Sequence, residues 1–107
     1  MLKFDHYGVP TKEEKPWAGF HPELKLNYFS SINPLFRIEY LKFAPDCIFN
    51  QEIQNNRHLA FTVDSIEETL GTLEGYTMMH PKTVVSPTLI ICYIKIEDVI
   101  IELMERK

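Results

Sequence analysis

The sequence predicts an α+β fold made of two related halves, and three observations carry that prediction. Runs with strand-type alternation are interrupted by one helix with a clear start signal. Two pairs of adjacent apolar strands are joined by turn clusters, and the chain echoes itself at an interval of about half its length. The organising stretch is residues 57–70, RHLAFTVDSIEETL. Its first part alternates, sending Leu59, Phe61 and Val63 to one face and His58, Ala60 and Thr62 to the other. Asp64 and Ser65 end the strand, and Ser65 with Glu68 three residues on reads as a capping box, so a helix is expected from about Ile66. Ile66, Leu70 and Leu73 form its apolar stripe and Gly75 its stop. A strand covered by the helix that follows it begins a βα unit.

The other elements follow in order. Residues 3–9 alternate Phe4, His6 and Gly8 against Asp5, Tyr7 and Val9, a strand closed by Pro10. Residues 10–22 hold three prolines and one glycine among charges, which predicts a surface loop with Trp17 and Phe20 seeking cover. Residues 24–30 and 35–43 are aromatic and β-branched runs joined by Ser31-Ile32-Asn33-Pro34, hence a hairpin. In its second arm Arg37, Glu39, Leu41 and Phe43 share one face, with Ile38, Tyr40 and Lys42 on the other. Residues 44–56 read as a polar linker. After the helix, residues 76–85 form an edge strand disturbed by Pro81, and residues 88–96 and 99–105 a second hairpin across Glu97-Asp98.

At 107 residues there is room for one domain with a single core. A net charge of -4 with no Lys/Arg cluster argues against nucleic acid and against an anionic membrane as partners. The start of the chain lacks a signal-type apolar run, and residues 88–104, the most apolar segment, are broken by Lys95, Glu97, Asp98 and Glu102; a cytoplasmic protein is expected. Cys47 and Cys92 have no metal-type spacing and read as reduced thiols.

The internal repeat is the strongest signal. DHYGV with His6 matches RHLAF with His58 at an offset of 52, and IEYL with Glu39 matches IELM with Glu102 at an offset of 63. Each half is therefore a first strand bearing His and a last strand bearing Glu. The separations, 33 and 44 residues, differ by 11, about one average helix, so the first half lacks the helix that the second has. The prolines in residues 10–22 stand where that helix would be.

This arrangement, and the run HLAFTVDSIEETL in particular, resembles the vicinal oxygen chelate superfamily, which includes glyoxalase I, methylmalonyl-CoA epimerase, extradiol dioxygenases and the bleomycin-resistance proteins. The resemblance covers nearly the whole chain. It implies two βαβββ-type modules, residues 1–50 and 57–107, the first without its helix, forming an open, curled mixed sheet around a ligand cavity. It also implies that the first and last strands of each module supply metal ligands, which here are His6, Glu39, His58 and Glu102. No glutathione-type substrate motif accompanies them.

Two imidazoles and two carboxylates suit a divalent ion such as Zn, Ni, Co, Mn or Fe. Such an ion would also relieve two carboxylates placed in a partly dry cleft. Each residue alone is more often an ordinary sheet histidine or solvated acid, and it is the doubled His-then-Glu pattern that favours a metal. Arg37 either grips an anionic substrate or pairs with Glu39. Phe4, Ala60, Thr62, Leu41, Ile100 and Met104 share faces with the quartet and would line the pocket, Thr62 and Met104 with Arg37 being the nominated substrate contacts. His21 and His80, beside prolines, are expected at the surface.

The leading expectation is a small metal-dependent lyase or isomerase of the glyoxalase or epimerase kind acting on a small carbonyl compound through a stabilised enediolate, with Glu39 or Glu102 as base. A dioxygenase, which needs only two His and one Glu, ranks lower. The rival is a non-catalytic small-molecule-binding protein of the bleomycin-resistance kind, and a third possibility is an interaction domain that has lost the site. Because the missing helix should uncover Ile38 and Tyr40, a homodimer is expected.

Overall fold

The computed structural model describes residues 2–107. The elements, in chain order, are β1 (Lys3–Pro10), β2 (Gly19–His21), β3 (Leu26–Ile32), β4 (Arg37–Phe43), α1 (Gln51–Asn55), β5 (His58–Val63), α2 (Ile66–Thr72), β6 (Tyr76–Ser86), β7 (Leu89–Ile96) and β8 (Val99–Arg106). All eight strands form one sheet in the order β2-β3-β4-β1-β5-β8-β7-β6, curled into an open half-barrel. The fold is the α+β, mixed-sheet architecture expected from the sequence.

The duplication is explicit in the pairing. β1 runs parallel to β4, and β5 parallel to β8, while β1 and β5 join the halves antiparallel. Gly8 lies opposite Glu39 and Ala60 opposite Glu102, so in each half the glutamate faces the residue two beyond the histidine. Across the join, Gly8 pairs with His58 and His6 with Ala60. A near-twofold relation therefore brings both histidines and both glutamates towards the middle of the sheet.

Burial on the two faces explains the alternation. The concave face holds Leu24, Leu26, Leu41, Ala60, Ile91, Tyr93, Ile100 and Met104. The convex face of the second half holds Val63, Ile90, Cys92, Ile94 and Leu103, covered by Ile66 and Leu70 of α2 and by Leu73 just after it. Ser65 caps α2 by accepting from the Glu68 N–H at 3.2 Å, and Glu105 of β8 accepts from the Ile66 N–H at 2.8 Å, tying the helix start to the sheet. The helix ends at Thr72, and Gly75, with φ 71°, turns the chain into β6 instead of serving as the immediate stop.

Three sequence expectations are corrected. The stretch expected to be all loop contains β2, three residues whose pairing with β3 supplies what so short an alternation cannot signal. The linker contains α1, capped by Asn50, and sends fully buried Ile53 and nearly buried Phe49 into the concave core. Phe4 does not share the face of His6. The β1–β5 register shifts between the two residues, a bulge at Asp5, and the Phe4 ring stands 5.7 Å from Phe61 on the convex side. No helix among the described residues is long and apolar enough to cross a membrane.

Candidate metal centre

His6, His58 and Glu102 converge on the concave face, all buried, with their ligating atoms within 4.8 Å of one another. Oε1 of Glu102 lies 3.6 Å from Nε2 of His6 and 3.3 Å from Nε2 of His58. Neither Nε2 has a hydrogen-bond partner. Buried imidazole nitrogens without a partner are costly, and a largely buried carboxylate between them adds a poorly solvated charge. A cation coordinated by all three relieves both problems, so the donor set fits a metal ion, and this buried group could hold one.

Each of the two histidines is held in place by its own neighbours. Oδ2 of Asp5 accepts from His6 Nδ1 at 2.7 Å and from an Nη of Arg37. With the proton on Nδ1, the His6 lone pair is left on Nε2, facing the trio. Burial works to raise the Asp5 pKa, but the His6 hydrogen bond and the Arg37 charge outweigh it and hold the carboxyl below its usual range. The bulge that displaces Phe4 brings Asp5 to this position beside His6.

His58 is fixed by packing. A Cβ at Gly8 would lie 2.1 Å from Cε1 of His58, so the imidazole rests directly on the glycine backbone. Its other side meets the Tyr93 ring edge-to-face at 5.2 Å, and Tyr93 in turn meets Phe49 at 4.9 Å. Burial, then the negative charges of Glu102 and Glu39, push the Tyr93 hydroxyl well above its usual pKa, so it stays neutral.

Glu39 stands at the rim. Its Oε1 is 3.8 Å from His6 Nε2 and its Oε2 is 3.8 Å from Arg37, and it is not part of the convergent trio. Arg37 takes Asp5 as its near partner instead of Glu39. Of the residues expected to line the pocket, Arg37, Leu41 and Met104 do so, along a cavity of about 220 Å³ next to the trio. Thr62, Ala60, Ile100 and Phe4 do not. The cavity also takes in Tyr28, Tyr93, Arg106 and His21. His21 was expected at the surface; pairing of β2 with β3 folds it inward, where its Nδ1 is buried without a partner. His80 is likewise half-buried, packed on Phe49 at 4.9 Å, and burial lowers its pKa.

No family model and no curated protein matches the chain. Among solved structures, a hypothetical protein from Bacillus halodurans C-125 is similar to it with a TM-score of 0.71, covering 99% of this chain and 95% of its own, at 19% identity. At that identity the likeness shows a shared fold and nothing about activity.

Proposed function

We propose that the protein is a small metal-dependent lyase or isomerase, of the glyoxalase or epimerase kind within the vicinal oxygen chelate superfamily, acting on a small carbonyl compound. The observation that carries this reading is the meeting of two partnerless Nε2 atoms and one carboxylate in the buried concave face. Three protein ligands with further positions left for water or substrate is the pattern of catalytic, as opposed to structural, divalent sites. Zinc, nickel, cobalt, manganese and iron all suit the set.

A cation held by His6, His58 and Glu102 would supply Lewis-acid stabilisation of an enediolate. The chain supplies the rest. Glu39, outside the trio, takes the proton from the carbon beside the carbonyl on a carboxylate oxygen and returns it. Asp5 keeps His6 in the tautomer that presents Nε2, and Arg37 holds Asp5. Leu41, Ile91 and Met104 keep water away from the reacting carbon.

A second reading has one observation in its favour: the trio itself, two histidines and one carboxylate, is the set used by non-haem iron oxygenases. Zinc and iron titration of the chelator-treated protein tests both. The isomerase reading expects tight zinc uptake that is lost in His6→Ala and in His58→Ala. Iron-dependent consumption of oxygen would favour the second reading, and absence of any metal uptake would leave only a small-molecule-binding protein. The expected homodimer belongs to the same proposal but on other residues: Ile38 and Tyr40 are half-buried, not uncovered, whereas Phe4, Ile32, Leu35 and Phe36 are exposed on the first half; a monomer in sedimentation at high concentration would remove it.

A further inference from the structure

The cavity beside the trio has two unlike walls. Leu24, Leu26, Leu41 and Ile91 make one aliphatic side, each nearly or fully buried. The other side carries the acids and two arginines, Arg37 of β4 and Arg106 at the end of β8. The arginines are differently employed. Arg37 is committed to Asp5. Arg106 makes no ion pair and no side-chain hydrogen bond among the described residues, although it lies close enough for its charge to act on Asp5.

Charge balance points the same way. Arg37, Arg106, Glu39 and Glu102 line the cavity, and Asp5 stands behind it within reach of both arginine charges, so the five groups together leave one negative charge in excess. A divalent cation on the trio turns this into one positive charge, in a cleft whose aliphatic wall weakens screening. The buried Nδ1 of His21 adds a hydrogen-bonding group that an oxygen-bearing occupant would satisfy. At about 220 Å³ the cavity is smaller than the 300 Å³ or so at which pockets begin to take drug-sized molecules, so the occupant has a tail of only a few carbons.

We propose that the substrate class is a short aliphatic monocarboxylate with an oxo or hydroxyl group beside the carboxyl, and that Arg106 binds its carboxylate and sets this specificity. The inference rests on the metal-dependent reading above. Arg37 remains a positioning residue for Asp5, and the aliphatic wall receives the tail.

The test is calorimetric titration of zinc-loaded protein with α-ketoisocaproate and, separately, with its methyl ester. The acid is expected to bind about tenfold more tightly than the neutral ester. Arg106→Gln should weaken the acid about fivefold to tenfold, with the ester and zinc uptake unchanged, and Arg106→Lys should restore part of the loss. Equal binding of acid and ester, or no binding of the acid, overturns the proposal. So does a preference for the acid that survives intact in Arg106→Gln, because the cation alone would then be its source. Failure to take up zinc removes the metal reading and this inference together, whereas zinc uptake without the Arg106 effect removes only this inference.

Discussion

The two halves of the sheet share strand order and the register of His before Glu but are covered in different ways on the convex side. In the second half α2 lies across β5, β7 and β8 and buries Ile66 completely against Val63, Ile94 and Leu103. In the first half the helix is replaced by the proline-rich segment between β1 and β2. Lys15 of that segment sits 4.5 Å above the Tyr40 ring, Glu14 pairs with Lys42, and the Trp17 indole N–H donates to Glu14 at 3.2 Å. One cover is an apolar helix face packed on the sheet, with a cavity of about 440 Å³ beside it between Thr69, Leu73, Phe61 and Ile101; the other is a polar strap over stacked Phe29 and Tyr40. The concave face needs particular donor atoms at particular register positions, whereas the convex face needs only exclusion of water. That requirement can be met by unrelated sequences, and the first half meets it less completely.

The largest expected effect separates the two covers. Ile66→Ala, which opens a cavity at a fully buried site, should cost about 2–5 kcal/mol in urea denaturation. Lys15→Ala, which removes a cation from a partly exposed ring, should cost about 0.5 kcal/mol. Similar losses from the two substitutions would mean that the strap is as integral as the helix. The next effect separates the two glutamates, which are equivalent by repeat but not by position. Glu102→Gln should weaken zinc binding about a hundredfold or more, because it removes a ligand from the buried trio. Glu39→Gln should change zinc affinity less than about tenfold while abolishing turnover of any carbonyl substrate, as expected for a base at the rim. Equal effects on zinc would restore the four-ligand site implied by the resemblance.

The legibility of the sequence follows the same division. Strand alternation, the Ser65 cap and the offset repeat are signals carried by neighbouring residues, and β1, β3 to β5, α2 and β6 to β8 were readable from them. The convergence of His6, His58 and Glu102 was readable because duplication repeats His before Glu in a fixed register. What escaped depended on contacts between distant segments. The bulge at Asp5 is invisible in KFDHYGV, since strict alternation assigns Phe4 to the face of His6. Arg106 and His21 reach the cavity only because the sheet curls, and α1 earns its place through Ile53, one apolar residue in a polar run. Asp5 directly before His6 is a usable sign of a histidine-orienting carboxylate, one that the face pattern hides because strict alternation puts neighbours on opposite sides.

That carboxylate is also where the halves differ most finely. At the offset that relates His6 to His58, Asp5 corresponds to Arg57, whose guanidinium lies 5.9 Å from the centre of the Tyr7 ring, and Nδ1 of His58 has no partner. The first histidine is thus oriented by a hydrogen bond and the second by Gly8 and Tyr93. Asp5→Asn should therefore lower zinc affinity about tenfold to a hundredfold, whereas Arg57→Gln should leave it nearly unchanged. The same substitution has a smaller signature in metal-free protein. Because the folded Asp5 carboxyl is held below its ordinary value of 3.8, its contribution to stability is present above that pH and is lost as pH falls through the folded value. The stability gap between wild type and Asp5→Asn, read by urea denaturation, should be constant near neutrality and shrink below about pH 4. A gap that stayed constant down to pH 2 would mean that Asp5 acts by shape alone, and the distinction between a hydrogen-bonded and a packed histidine would lose its electrostatic basis.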